Sequence, residues 1–307
     1  MTIATDWLRG CGTALVTPFG PEGRIDEARL RALVERQLSG GVRLLVPCGT
    51  TGEAVTLTPD EQTRVIRVVV ETVRGRARVL AGVGSNATAV SVERAKAARG
   101  AGVDGVLVVA PYYNKPTQAG LIAHFKAVAD AVSGLPVVLY NVPSRTASNI
   151  QAATVLALAR DVETIVGVKE ASGDLAQVMA ILRECPPGFA VVSGDDAITL
   201  PLIALGAQGV ISVASNEVPD LMTELAARAL DGRWQAAREL HYRLLPLMEA
   251  NFIESNPGPV KAAMAMMGLL GEHYRLPLVP VQEKTRARLR EVLEALGVLG
   301  RAAHVAA

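Results

Sequence analysis

Short apolar runs rich in Val, Leu and Ile alternate along the chain with longer stretches in which apolar residues recur at helical spacing. Eight runs read as strands. They are Thr13-Ala14-Leu15-Val16-Thr17, Leu44 to Cys48, Arg78 to Val83, Gly105 to Ala110, Val137 to Tyr140, Ile165 to Ser172, Ala190 to Ser193 and Gly209 to Val213. Their hydrophobicity is continuous rather than alternating, which predicts strands covered on both faces, and the helical stretches between them predict parallel βα units. In the first connector Asp26 is placed to cap a helix that carries Leu30, Leu33, Val34 and Leu38 on one face. A second begins at Thr58-Pro59-Asp60-Glu61, with a cap, a first-turn proline and acids at the positive end of the helix dipole. Eight such units in about 220 residues predict an α/β protein built as a (β/α)8 TIM barrel.

From Pro219 onward the strand pattern stops. Leu221 to Leu230, Trp234 to Ala250, Pro259 to Leu270 and Val281 to Leu296 read as helices, more than the last βα unit needs. The expected organisation is a catalytic barrel over residues 1–230 and a small C-terminal helical domain over 231–307. No low-complexity linker separates them, so the two are expected to pack together.

Composition narrows the partners. The chain has 307 residues, half of them hydrophobic, with 31 basic and 30 acidic side chains and a net charge of +1. Without a basic block, neither nucleic acid nor an anionic membrane is the expected partner, and a small metabolite is. No apolar stretch approaches the roughly 20 residues of a membrane span. The start Met1-Thr2-Ile3-Ala4-Thr5-Asp6 lacks a basic region followed by an apolar core, so a cytoplasmic location is expected. Cys11, Cys48 and Cys185 are far apart and lack metal spacing, as reduced thiols would. Cys48, beside Gly49-Thr50-Thr51, reads as a small buried thiol ahead of a nucleophile. His124, His241, His273 and His304 are scattered singly, with no spacing suited to a divalent ion, so metal-free chemistry is expected.

A barrel demands that functional residues gather at the C-terminal ends of its strands. The unusual residues meet that demand. Gly49-Thr50-Thr51-Gly52-Glu53 follows the second run, Pro111-Tyr112-Tyr113-Asn114-Lys115-Pro116 the fourth, Tyr140 to Thr146 the fifth, and Gly194-Asp195-Asp196 the seventh. Lys169 lies inside the sixth, Ile165-Val166-Gly167-Val168-Lys169-Glu170-Ala171-Ser172. A buried ammonium is costly unless paired, so a lysine kept there is a candidate amine nucleophile; a frayed strand end or a pair with Glu170 is the plainer alternative. Thr50 and Thr51 offer N–H groups and hydroxyls suited to a carboxylate, or form an ordinary capped turn. Tyr113 and Tyr140 are candidate proton carriers beside an amine if a hydroxyl such as Thr51 bridges them, or else core phenols. Arg145 carries a fork that matches a carboxylate, or forms a surface ion pair.

The strings GTTGE, PYYNKP, YNVPSRT, GVKEASGD, SGDD and GVISV, in this order and spacing, resemble the dihydrodipicolinate synthase / N-acetylneuraminate lyase family of pyruvate-dependent Schiff-base aldolases. The similarity runs from about Gly12 to Leu299, nearly the whole chain. YNVPSRT most resembles the dihydrodipicolinate synthase branch. The resemblance implies that Lys169 forms an imine with pyruvate, with Tyr140, Thr51 and Tyr113 as the proton-handling set. It further implies that Thr50 and Thr51 hold the pyruvate carboxylate, that Arg145 binds L-aspartate 4-semialdehyde, that the Ile211 carbonyl faces the Lys169 amine, and that Gly194 lines the mouth. The implied product is 4-hydroxy-tetrahydrodipicolinate, with no metal or organic cofactor. Tyr113 is implied to reach a neighbouring subunit, making a dimer the minimum active unit and a homotetramer the expected assembly. A pyruvate aldolase acting on sugar acids or other aldehydes, and an idle keto-acid-binding homologue, remain as alternatives. The chain departs from the lysine-inhibited members of the family. Val90, Pro59 and Gln62 stand at the positions implied to bind lysine, with Ala54 and Val55 small and apolar, although Asn86 and Tyr112 remain. Weak or absent lysine inhibition is therefore expected, since an apolar Val90 cannot pair an ammonium.

Overall fold

The computed structural model describes residues 5–299. Residues 1–4 and 300–307, and with them the first residues of the chain, His304 and the end of the 231–307 unit, lie outside the described residues. Eight parallel strands close into a barrel in sequence order. They are β1 (Gly10–Ala14), β2 (Leu44–Val46), β3 (Arg78–Gly82), β4 (Gly105–Val109), β5 (Val137–Asn141), β6 (Ile165–Glu170), β7 (Ala190–Ser193) and β8 (Gly209–Ser212). Around them run α1 (Glu27–Ser39), α2 (Pro59–Val73), α3 (Thr88–Gly100), α4 (Gln118–Ala131), a short α5 (Pro143–Thr146), α6 (Ala152–Asp161), α7 (Leu175–Glu184), α8 (Thr199–Ala204) and α9 (Pro219–Leu230). Three more helices follow: α10 (Trp234–Ala250), α11 (Gly258–Met266) and α12 (Glu283–Leu296).

The capping signals act as read. The Asp26 carboxylate accepts from the Arg29 N–H at 3.0 Å, and at the start of α2 Thr58 and Glu61 form a reciprocal capping box. The first strand is a correction. The hydrophobic run predicted Thr13 to Thr17, whereas β1 occupies Gly10–Ala14. Closure of the barrel sets its position: Gly10 pairs with Gly209, and a Cβ on Gly209 would lie 2.0 Å from the Gly10 carbonyl oxygen. Only glycine allows that approach, so the strand starts early, and Leu15, Val16 and Thr17 continue as buried loop.

Strand alternation divides the apolar residues into two layers. Val46, Leu80, Leu107, Val138, Tyr140, Val192 and Ile211 fill the barrel interior, while Leu45, Val79, Val106, Leu139, Val168 and Val191 pack outward against the helices. On β6 the alternation is interrupted. Val137 pairs with Ile165 but Val138 with Gly167, so Val166 is an extra residue opposite β5. The bulge lets Val166 face inward while Val168 faces outward, and it leaves Lys169 on the interior side, in register with Tyr140.

The C-terminal helices share the outer layer of the barrel. One apolar cluster joins Cys11 of β1 and Val210 of β8 with Met222 and Leu225 of α9, Leu240 and Leu244 of α10, and Leu289 and Leu293 of α12. It therefore runs without interruption across the expected boundary after Leu230. Among the described residues no helix is long and apolar enough to cross a membrane.

Candidate active site

A cavity of about 480 Å³ opens at the C-terminal rim of the barrel, and Thr50, Thr51, Tyr140, Arg145, Lys169 and Gly194 line it. Lys169 is 5% exposed, and its Nζ stands 4.4 Å from the centre of the Tyr140 ring. Glu170, the next residue, faces the opposite side of the sheet. Its carboxylate accepts from Asn141 Nδ2 at 3.1 Å, from the Ser172 N–H at 2.8 Å and from Gln177 Nε2 at 3.0 Å. The alternative in which Lys169 pairs with Glu170 is thus excluded by strand geometry, and among the described residues the amine has no ion-pair partner. It is open to an electrophile entering the cavity. Gly194 gives it room, since a Cβ there would lie 2.9 Å from Lys169 Cε and 2.8 Å from Ala171 Cβ.

The loop after β2 is held at several points. Thr17 Oγ1 donates to the Gly52 carbonyl at 2.7 Å, and the N–H groups of Gly52 and Glu53 close tight turns onto Gly49 and Thr50. The Glu53 carboxylate is locked by Lys261 of α11 at 2.6 Å, with both side chains fully buried. Burial lowers the Lys261 pKa, and the Glu53 charge opposes that shift. This anchoring leaves the next groups free: among the described residues no acceptor takes the N–H of Thr50 or Thr51. Two adjacent unpaired N–H groups on a cavity wall suit a carboxylate. The Thr51 hydroxyl accepts from Asn256 Nδ2 at 3.0 Å.

Arg145 sits on α5, immediately after β5, and is exposed at the mouth. Its Nη2 donates to the Asn256 carbonyl at 3.3 Å, and among the described residues no acid pairs with it, so its fork is not consumed by a surface ion pair. Tyr113 is elsewhere. It is 88% exposed, has φ of +75°, and lines neither this cavity nor the adjoining one of about 250 Å³. Tyr112 and Tyr140 line that second cavity together with Arg145. Ile211 is fully buried in the interior layer and its side chain does not reach the cavity lining. Cys48 lines the second cavity, and burial pushes its thiol up to about 12, which removes it as a nucleophile near neutral pH. Among the described residues no three His, Cys, Asp or Glu side chains gather as a metal site would need.

Sequence reasoning missed the segment 252–256 between α10 and α11, which forms one wall of the cavity. The Asn256-Pro257-Gly258-Pro259 string has the composition of a turn, but nothing in it signals contact with Thr51, 205 positions away. It also missed Asp196 as a structural acid. Both the Val213 and the Ala214 N–H donate to its carboxylate at 2.9 Å, tying the end of β7 to the turn after β8, while burial raises its pKa.

The comparisons with known proteins agree with this geometry. Residues 7–296 match the model of the dihydrodipicolinate synthetase family. A 4-hydroxy-tetrahydrodipicolinate synthase of Koribacter versatilis is 54% identical over 95% of this chain and 97% of its own length. Its counterpart in Acidobacterium capsulatum is 52% identical over the same shares. The crystal structure of dihydrodipicolinate synthase from Aquifex aeolicus superposes with a TM-score of 0.93 at 44% identity, covering 95% of this chain and 99% of that one. With the barrel, the ordered motifs and nearly full-length similarity in agreement, the chain belongs to the dihydrodipicolinate synthetase family.

Proposed function

We propose that this chain is a Schiff-base-forming lyase that condenses pyruvate with L-aspartate 4-semialdehyde to give 4-hydroxy-tetrahydrodipicolinate. The observation that carries the reading is Lys169: buried, without an ion-pair partner among the described residues, against Tyr140 and in the same cavity as Thr50 and Thr51, whose N–H groups have no acceptor among the described residues. Those N–H groups hold the pyruvate carboxylate. The amine attacks the ketone carbon, the carbinolamine loses water, and the protonated imine then draws electrons as a methyl proton leaves to form the enamine. Tyr140 handles the proton at the imine, with Thr51 as the neighbouring hydroxyl. The enamine carbon attacks the aldehyde of a semialdehyde whose carboxylate pairs with Arg145, and the substrate's own amine displaces Lys169 as the ring closes. The chemistry needs no metal or organic cofactor.

Assembly is part of the proposal. The exposed Tyr113, absent from the lining of its own cavity, is suited to enter the site of a second copy, so a dimer is the minimum unit and a tetramer the expected form. A cytoplasmic location fits a biosynthetic enzyme of this kind.

The acceptor assignment rests on Arg145. Steady-state comparison of aldehydes is expected to show the highest kcat/KM for aspartate semialdehyde. Arg145→Ala should lower that value by about 10- to 100-fold, the worth of a charge-assisted pair, while pyruvate KM stays close to the parent value. Faster turnover of a sugar aldehyde would assign the chain to another pyruvate aldolase.

A further inference from the structure

The N–H groups assigned above to the pyruvate carboxylate belong to two consecutive peptide units, Gly49–Thr50 and Thr50–Thr51. In a trans peptide the C=O and the N–H point in opposite directions, so whatever holds the two carbonyls aims the two N–H groups. The Gly49 carbonyl accepts from the Gly52 N–H at 3.2 Å and from the Ala54 N–H at 3.4 Å, and the Thr50 carbonyl accepts from the Glu53 N–H at 3.1 Å. Every one of these donors lies in residues 52–54. The direction of the free N–H groups is therefore set by where Glu53 and its two neighbours sit.

Glu53 is held against its backbone preference. Its φ of +52° is in the left-handed region, which is uncommon outside glycine and persists where the surroundings over-determine it. The surroundings here are an interior ion pair. Lys261 Nζ of α11 donates to Glu53 Oε1 at 2.6 Å with both side chains fully buried, and the Arg275 N–H reaches Oε2 at 3.4 Å. The same ammonium lies 4.5 Å from the centre of the Phe19 ring and 5.1 Å from that of Tyr274. A buried ion pair adds little net stability, and apolar side chains of similar volume commonly do as well, so the pair is kept for the geometry it fixes. Neither Glu53 nor Lys261 lines the cavity. We infer that Lys261 is a positioning residue for pyruvate: acting through Glu53, it aims the Thr50 and Thr51 N–H groups at the substrate carboxylate. The inference rests on the Schiff-base reading above. Because those N–H groups grip the carboxylate before, during and after imine formation, their misalignment weakens pyruvate binding and leaves the chemical steps at Lys169 unchanged.

Lys261→Met, Glu53→Gln and the double variant test this, with steady-state kinetics in both substrates and urea unfolding as readouts. Lys261→Met should raise the pyruvate KM by about 10-fold, the worth of one charge-assisted hydrogen bond. Glu53→Gln should raise it by about 3- to 10-fold, because its amide oxygen still accepts from Lys261. The kcat at saturating pyruvate and the KM for aspartate semialdehyde should stay within about 3-fold of the parent. In the double variant the pyruvate KM should match that of Lys261→Met rather than the product of the two effects, since Lys261 acts only through Glu53. The double variant should also unfold at no lower urea concentration than Lys261→Met, because no buried charge is left unpaired; a KM defect that persists there is not a loss of stability. A parent-like pyruvate KM in the folded single variants, equal losses toward both substrates, or effects that multiply in the double variant would overturn the role. If Lys261→Met does not fold, Glu53→Gln decides: a raised pyruvate KM beside a parent-like semialdehyde KM supports the role, and a parent-like pyruvate KM overturns it. A parent chain that traps no pyruvate on Lys169 under borohydride overturns the Schiff-base reading itself, and the role with it, whereas a parent that traps it beside variants of unchanged pyruvate KM overturns the role alone.

Discussion

Gly194→Ala tests whether the room around Lys169 matters to the chemistry. The backbone at Gly194 does not have a positive φ, so an L side chain is acceptable there and the effect is confined to contacts. The new methyl would lie 2.9 Å from Lys169 Cε, 3.2 Å from Lys169 Cγ and 2.8 Å from Ala171 Cβ. Carbon atoms in ordinary contact stand about 3.5–4.0 Å apart, so the overlap is roughly 0.5–1 Å. Ala171 cannot yield by rotating a side chain. The lysine can, and a displacement of about 1 Å at a reacting atom costs on the order of 100-fold in rate. Overpacking should also lower stability by about 1–3 kcal/mol. The assay is rapid-quench borohydride trapping of the pyruvate adduct beside steady-state kcat, with urea unfolding for stability. Gly100→Ala is the control, because a Cβ there meets nothing within 4 Å and the residue lies at the end of α3, outside the site. Parent-like trapping and turnover in Gly194→Ala would refute the argument.

Two further outcomes follow from other parts of the molecule. Paired hydrogen bonds from Arg275 hold the Glu61 carboxyl at about 2, below its ordinary 4.5. A depressed folded-state pKa contributes stability that is present above the unfolded value and lost as pH falls through the folded one. Glu61→Gln keeps the capping geometry of α2 but removes the charge. It should cost about 1–2 kcal/mol at neutral pH, allowing for solvent screening, and the gap should close between about pH 5 and pH 2. A gap independent of pH would contradict this. Millimolar lysine should leave the rate near its uninhibited value, because Val90, Pro59 and Gln62 line a cleft with no carboxylate at position 90; strong inhibition in a steady-state titration would assign the ammonium to Asp60 or Glu93, which line the same cleft.

Much of the fold was legible because strands covered on both faces leave continuous apolar runs, and capped helices such as α2 announce their starts. What escaped detection depends on contacts rather than on periodicity. The start of β1 is set by the approach of Gly209 to Gly10, which adds nothing to a hydrophobic pattern. The bulge at Val166 decides which face Lys169 takes, yet an apolar run reads the same with or without it. Nothing in the sequence singles out Lys261, since charge usually marks an exposed face, and only the folded chain brings it to Glu53. The rim residues Thr50, Thr51, Tyr140, Arg145, Lys169 and Gly194 were found because a barrel concentrates them at strand ends. Asn256 was not, because it arrives from a segment beyond the barrel. Tyr113 was read with the same set, yet in this chain it is exposed and lines neither cavity.

The central claim is that Lys169 forms a covalent imine with pyruvate. Borohydride reduction in the presence of pyruvate, followed by peptide mass spectrometry, is expected to place a single adduct on Lys169 and to find none in Lys169→Arg. An adduct on another lysine, or none in the parent chain, would contradict the account.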